Sequence, residues 1–488
     1  MIKNERNYRI TKAQLNRFEN ALHLQESELD QRLHPLLQKA QRESLRSQLE
    51  ELRAQVDEYE ALRSGTHLVL ELNSWEEIPR ALIQARIAAR LSHKDLAARL
   101  GLKEQQIQQY ESSEYAGADF QRITEVIQAL GIKIREDVFL PQAEVSFPTL
   151  FKRLSSVGID RNFVLQRLLP SSVTTSLQKP GANQNDLANL ALASAARIGR
   201  VFNLAPATIF GRGNLQLDNA ALAAARFKVP TNAAEERLSA YTLYAHYLAL
   251  LALEVSQGLH LRPVVTDPPE VMRSIAAASE PLTLRAVLNY IWDIGIPVLP
   301  LNDAGAFHGA CWRVDGRNVI VLKQRTQSQA RWIIDALHEL FHAGQNLEQK
   351  HLTFIDLEDP FRNSKNSLEE KLAVTFSCNV GLSCRAEALA ALCVKAAQGS
   401  VERLKAVVPK VAKREGVSTD MLANYMAYRL SLQNVSWWAV AQTLQGRGED
   451  PWQVARDIFL ERADFSRINA SDRELLLRAL VTPPEDTV

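Results

Sequence analysis

The chain is expected to be mainly α-helical with one small α+β region, and three features of the sequence predict this. Leu45, Leu49, Leu52, Val56, Tyr59 and Leu62 recur at helical steps of three and four residues, the pattern of a coiled-coil seam. Between Arg80 and Ile132, short amphipathic runs are closed by Gly101 and Gly131, which reads as a set of short helices. Strand-like runs cluster at 296–323, directly before a helical stretch that carries two histidines four residues apart, His338 and His342.

Composition sets outer limits. A chain of 488 residues with 46% hydrophobic content can build sizeable cores in about two to four domains. No apolar run approaches the roughly 18 residues needed to span a bilayer, so no membrane partner is expected. Met1–Arg6 lacks the apolar core of a signal peptide. Cys311, Cys378, Cys384 and Cys393 have no paired spacing and are expected as reduced, buried or half-buried thiols. Together these features predict a cytoplasmic address. The net charge of +1 neither predicts nor excludes a nucleic-acid partner.

Residues 1–66 are expected to be a helical coiled coil. Leu15, Phe18, Leu22, Leu29 and Leu33 form an earlier apolar series, and His34-Pro35 can break or restart the helix. The element is then a hairpin or two consecutive helices, which either brace the chain internally or join two copies as a homodimer.

Residues 78–138 change character. Ser92 to Gly101 is an N-capped helix closed by glycine, and Leu102 to Glu111 opens the next, the signature of a helix-turn-helix. Leu91-Ser92 with Leu96-Ala97 and Leu100-Gly101, then Ile107, Glu111 and Ala129-Leu130-Gly131-Ile132, resemble the Xre/Cro repressor family. The resemblance implies a five-helix DNA-binding domain and a double-stranded operator as partner. Glutamine can bond adenine bidentately in the major groove, which makes Gln105, Gln106 and Gln109, with Gln108 beside them, candidate base readers. Lys94, Lys103 and Arg90 are candidate phosphate contacts. Glu104, Glu111, Glu114 and Asp119 lie near this face, and His93 departs from the family's usual glutamine. A helix-turn-helix kept for protein contact is the alternative.

Residues 139–234 are expected to be a helical connector, with helices around Leu150–Leu154 and Leu187–Ala193 and a loop at 179–184. In 235–400, Leu238–Val255 is an apolar helix whose Tyr241, Tyr244 and Tyr247 and His246 are expected in the core. Strand-like runs follow at Ile296–Leu301, Ala306–Trp312 and Asn318–Lys323, with Asp315-Gly316 as the turn between the last two. His308 either helps bind a substrate or holds an edge.

The chemistry centres on Asp335-Ala336-Leu337-His338-Glu339-Leu340-Phe341-His342. Residues four apart lie one above the other on a helix, so His338 and His342 can face one cation while Glu339 reaches a water on it. Gly344 is a natural stop. Catalytic zinc takes three protein ligands and keeps an open position. After a polar stretch at 363–367, Leu368–Ser377 reads as a second helix with Glu370, Ala373 and Phe376 on one face, which makes Glu370 the candidate third ligand. His-Glu-x-x-His followed by Glu370-x-x-Ala373-x-x-Phe376 resembles the ImmA/IrrE metallopeptidases, with Ser377 in place of the family's alanine and Arg331 where the family often has an arginine. The resemblance implies a zincin-like α+β peptidase domain. The segment Lys413–Ser418 and the helical region 401–488 would back its active site, with Trp437-Trp438 closing a core and 484–487 disordered.

The expected function is therefore a Zn2+-dependent endopeptidase coupled to DNA binding, with His338, His342 and Glu370 as metal ligands and Glu339 as general base. Asp335 either orients an imidazole or lies on the helix surface. The family resemblance implies a protein substrate of the repressor or antitoxin kind, cut under stress in cis or in trans. The alternative is a DNA-binding regulator whose zinc site is structural or sensory.

Overall fold

The computed structural model describes residues 1–27, 35–65, 70, 72, 75–134, 139, 143–179, 183–217, 233–278, 282–303, 307–356, 361, 367–446 and 448–481. The expected break at His34, the loop at 180–182, the polar stretch at 363–366 and the disordered tail at 484–487 lie outside them. The contacts divide the chain into two compact units, Met1–Gln142 and Ala143–Val488. It is mainly helical with one small sheet of four strands.

In the first unit, α1 (Glu5–Ser27) and α2 (Pro35–Ser64) form an antiparallel pair. Proline at the start of α2 suits the first helical turn, where an N–H would have no partner. Tyr8 stacks on Tyr59 at 4.9 Å, Lys12 meets Glu60 at 2.7 Å, and Glu19 meets Arg53 at 2.6 Å. The seam faces inward: Leu49, Val56, Tyr59 and Leu62 are buried in one cluster with Ile78, Leu82, Leu96, Ile107 and Val126. The hairpin and the following short helices thus share a core, and the apolar stripe braces the chain internally.

Those short helices are α3 (Ile78–Ala88), α4 (His93–Leu100), α5 (Glu104–Ser112) and α6 (Phe120–Leu130). Four stand among the described residues where five were expected. Ser92 and Asp95 form a reciprocal capping box on α4, and Gly101 closes it at φ 65°, a left-handed conformation that favours glycine. The centre of the domain is polar. Arg86 holds Glu111 through two bonds of 2.5 and 2.7 Å, His93 reaches the same carboxylate at 2.9 Å, and both Arg86 and Glu111 are buried. Arg86 also donates to the carbonyls of Leu91 and Lys3, tying the N-terminal segment to the turn before α4. Glu111, expected near the reading face, is therefore interior: an i to i+4 step from Ile107 puts it on the core side of α5.

The second unit surrounds its sheet with helices, α7 (Phe147–Ser155), α8 (Gln184–Phe202), α9 (Ala233–Glu254), α10 (Pro268–Ala278) and α11 (Leu284–Asp293) before it. The strands are β1 (Val298–Leu301), β2 (Gly309–Val314), β3 (Arg317–Lys323) and β4 (Leu352–Asp356), in the order β1-β3-β2-β4. β1 runs parallel to β3, while β2 is antiparallel to both β3 and β4. Asp315 at φ 50° and Gly316 at φ 82° make the β2–β3 turn, the double left-handed turn that Asp-Gly favours. β4 was not anticipated.

Between β3 and β4 lies α12 (Gln329–Ala343), and α13 (Leu368–Gly381) follows β4. α12 packs against β2, β3 and α13. Arg313 of β2 donates to the carbonyls of Ala343, Gln345 and Asn346 and so clamps the end of α12. Gly344 ends this helix, though not by a left-handed turn. Its φ is −87°, and a Cβ there would sit 2.3 Å from the Thr266 side chain, so the glycine permits close packing.

The rest is α14 (Ala386–Ala396), α15 (Leu404–Glu415), α16 (Thr419–Ser431), α17 (Pro451–Arg462) and α18 (Ala470–Ala479). Segments expected as connector and C-terminal region meet: Arg167 donates to the carbonyls of Arg478 and Val481 and pairs with Asp303 at 2.6 Å. Tyr241 and Tyr244 are core residues, and His246 packs edge-on to Trp312. Cys311, Cys378 and Cys393 are buried, whereas Cys384 is exposed in a turn at φ 58°.

The Arg86–Glu111 pair yields a prediction. Burial disfavours the charge on Glu111, yet hydrogen bonds from His93 and Arg86 outweigh it and hold the carboxyl below the usual carboxylate range. Glu111→Ala strands a buried guanidinium and should cost about 3–5 kcal/mol, read as a lower urea midpoint for the transition of this unit. In the natural chain the pair's contribution is complete above about pH 4.3 and fades as pH falls through the lowered pKa. An unchanged midpoint in Glu111→Ala would mean the pair adds nothing net.

Candidate metal centre and nucleic-acid interface

α12 begins at Ser328, whose hydroxyl accepts the Arg331 backbone N–H. Trp332, Ile334, Ala336, Leu337 and Leu340 bury the helix, and His338 and His342 are wholly enclosed with it. Neither histidine is solvated. His342 stacks on Phe354 of β4 at 4.4 Å, and Phe341 packs on Phe376 of α13 at 5.6 Å, which aligns the two helices. Ala373 is fully buried between them, as the shared face with Glu370 requires.

Four side chains converge. Nε2 of His338 lies 3.1 Å from Nε2 of His342, 3.0 Å from Oδ2 of Asp356 and 3.1 Å from Oε2 of Glu370. Nε2 of His342 lies 3.6 Å from Oε1 of Glu370. Donor atoms of His338, His342, Asp356 and Glu370 all fall within 4.8 Å of one another. An imidazole nitrogen carries at most one proton, so no protonation state lets Nε2 of His338 bond all three neighbours. A cation can do so. Donors at about 2.0–2.1 Å from one tetrahedral cation stand about 3.3 Å apart, and these distances bracket that value. Oδ2 of Asp356, aimed at His338, has no hydrogen-bond partner among the described residues. The residues present thus fit a divalent metal ion, though two imidazoles and two carboxylates do not by themselves select zinc.

The electrostatics point the same way. Burial pushes the His338 pKa down, but the carboxylates of Asp356 and Glu370 outweigh it and hold it well above the ordinary value. Burial pushes Glu370 up, yet its bonds to His338 and His342 hold it well below the usual carboxylate range. Both shifts express carboxylates seeking positive charge at the point where the imidazoles meet.

Glu339 is almost fully buried, and burial, followed by the Asp356 carboxylate, raises its pKa well above the usual value. Its position depends on Gly309. In the register of β2 with β4, Gly309 stands opposite Asp356, and a Cβ on Gly309 would lie 2.2 Å from Oε1 of Glu339. The absence of a side chain at one strand position therefore makes room for the carboxylate. The backbone N–H of His308 donates to the Asp356 carbonyl at 2.7 Å and fastens β2 to β4 beside the site.

Asp356 and Gly309 were both missing from the sequence-based site. The usable signal was Leu352–Asp356, a short run with β-branched and aromatic residues that ends in an acid. Asp335 is buried and accepts from the Gln324 side chain, which excludes the helix-surface reading. Arg331 is buried with its guanidinium 4.6 Å from the Phe361 ring and 6.0 Å from that of Trp438. Oε1 of Glu369 lies 4.0 Å from Nδ1 of His342, beyond hydrogen-bond length.

On the first unit, Lys94, Lys103, Gln105, Gln106, Gln108 and Gln109 are exposed. Gln106 accepts from the Lys103 backbone N–H at 3.0 Å and so caps α5, and Gln108 donates to Glu104 at 3.0 Å. Gln105 and Gln109 lie four apart on one exposed face of α5. Arg90 donates to the Arg63 carbonyl at 3.1 Å.

A helix-turn-helix family model matches residues 82–136, which spans most of α3 and all of α4, α5 and α6. No curated protein matches the chain, and no solved structure does. The match supports a DNA-binding regulator. Among the described residues no helix is long and apolar enough to cross a membrane.

Two predictions follow from these geometries. After dialysis the full chain should retain about one divalent ion, measured by elemental mass spectrometry. His338→Ala and His342→Ala should abolish it, and Asp356→Ala and Glu370→Ala should each weaken it. Full retention in Asp356→Ala would remove Asp356 from the ligand set. On DNA, Gln105→Ala or Gln109→Ala should relax preference at one base position at a cost of about 1–3 kcal/mol, whereas Lys103→Ala should weaken all sequences alike. Anisotropy titrations against a selected duplex library decide this, and unaltered preference in both glutamine variants would locate base reading elsewhere.

Proposed function

We propose that the chain is a zinc-dependent endopeptidase joined to a sequence-specific DNA-binding domain, a regulator that cleaves a repressor or antitoxin protein. The observation that carries the enzymatic half is the convergence of His338, His342 and Glu370 with Glu339 beside them. His338, His342 and Glu370 would hold a divalent cation, which when bound would supply Lewis acidity for peptide hydrolysis. Glu339 would serve as general base, taking a proton from the water that attacks the peptide carbonyl and returning it to the amine as the C–N bond breaks. Gly309 holds the Glu339 carboxylate in place by admitting it against β2. β4 stands last in the sheet, so its outer backbone edge offers a strand-like docking line for an extended peptide.

DNA binding rests on the matched helix-turn-helix. Such domains commonly bind two half-sites as dimers. Since the α1–α2 seam is covered by the chain's own core, a homodimer would use another surface. The resemblance to the ImmA/IrrE peptidases, together with this domain, points to stress-triggered cleavage of a transcriptional regulator, in cis or in trans.

One observation favours a second reading. Asp356 brings a fourth donor, and a cation with four protein ligands is characteristic of a structural or sensory site. In that case metal loading tunes the regulator and no peptide is cut. Glu339→Gln separates the two: it keeps every proposed metal donor and removes only the base. In cells, proteome-wide mass spectrometry of wild type against Glu339→Gln should show at least one cleavage that vanishes in the variant, while purified Glu339→Gln keeps metal content and DNA affinity. Cleavage that persists in Glu339→Gln would sink the hydrolase mechanism, and no cleavage in either, with metal-dependent DNA affinity, would establish the sensory reading.

A further inference from the structure

The first unit contains an open cleft of about 880 Å3 lined by the start of α1, the end of α2, the α3–α4 turn and one side of α5. Six cationic side chains line it against three acidic ones. The chain as a whole carries a formal charge of only +1, so this excess is concentrated by the fold. The acids are largely answered already. Arg86 and His93 hold Glu111, and Arg63 and Arg9 flank Glu5. Arg6 has no hydrogen bond or ion pair among the described residues and is exposed at the mouth with Arg9. Asn4 and Asn7 add neutral hydrogen-bonding groups to the same wall.

α5 contributes Glu104, Gln108, Glu111 and Ser112 to the wall, and Glu104, Gln108 and Ser112 form a stripe at four-residue steps. It adjoins the stripe of Gln105 and Gln109. Because the two stripes are neighbours, a duplex whose major groove took the latter would bring its backbone beside the cavity. Its guanidinium groups suit phosphate, which they grip with paired N–H donors.

We propose that this cavity is a phosphate site, in which Arg6 and Arg9 of α1 bind the DNA backbone flanking the bases read by α5. The hairpin is then part of the nucleic-acid interface as well as a brace. This rests on the DNA-binding reading above and adds to it residues outside the matched segment, 82–136.

The test uses the full chain and a duplex selected for preferential binding, with affinity measured across a salt series. The variant Arg6→Ala/Arg9→Ala changes two exposed side chains, and circular dichroism checks that its fold is kept. It should weaken selected and unselected duplexes alike and lower the slope of log K against log salt by about 2. Gln105→Ala serves as the control for the underlying reading, because it should alter sequence preference and leave the slope unchanged. If Gln105→Ala alters preference while Arg6→Ala/Arg9→Ala leaves affinity and slope intact, DNA binding stands and the cavity's role in it is overturned. Calorimetry with inorganic pyrophosphate separates the phosphate sources. Pyrophosphate binding that the double variant abolishes, with an unchanged DNA slope, would assign the cavity to a small free anion and overturn its DNA role. If the wild-type chain binds no duplex, both the reading and the proposal fail.

Discussion

The second unit is organised around one point at which four ionisable side chains meet. Two imidazoles and two carboxylates are enclosed with their donor atoms turned on one point, in a setting where an unpaired buried polar group costs on the order of 1–3 kcal/mol. The surrounding structure holds them there. Phe354 is stacked on His342, Phe376 aligns α13 with α12, and Arg313 anchors the carbonyls at the end of α12. The sheet order brings β4 next to β2, so that Asp356 and Gly309 share one rung beneath the helix. Each of these contacts helps to hold the four donors on one point, an arrangement that a divalent cation would fit.

The first unit has its own polar centre, and it obeys the same rule with the opposite solution. Glu111 is interior and needs positive charge, which Arg86 and His93 supply from within the chain. That single network links α3, α4, α5 and the N-terminal segment. It also gives His93 a structural role, since its ring reaches the Glu111 carboxylate at 2.9 Å. The hairpin is welded on by apolar contact, with Leu49, Val56 and Leu62 inside the same cluster as Ile83 and Ile107. Coupling a rigid brace to a helix-turn-helix in this way fixes where the basic start of α1 lies relative to α5.

Much of this was legible in the chain because local rules wrote it. Helical spacing put His338 and His342 on one face, and the step from Glu370 to Ala373 and Phe376 put the third donor on another. Ser92, Asp95 and Gly101 marked both ends of α4, and Asp315-Gly316 marked the β2–β3 turn. These signals act over a few residues, so they survive without knowledge of the fold. What only the tertiary structure decided depends on residues far apart in the chain. Asp356 joins the site because β4 pairs with β2 in a register that sets it opposite Gly309. Glu111 turned inward because Arg86, 25 residues earlier, meets it in the core. The seam at 45–62 was expected to join a second copy, with an internal brace as the alternative, since an apolar stripe does not say what will cover it. Hydrophobic burial has no direction of its own, and pairing register has no local code; the packed structure supplies both.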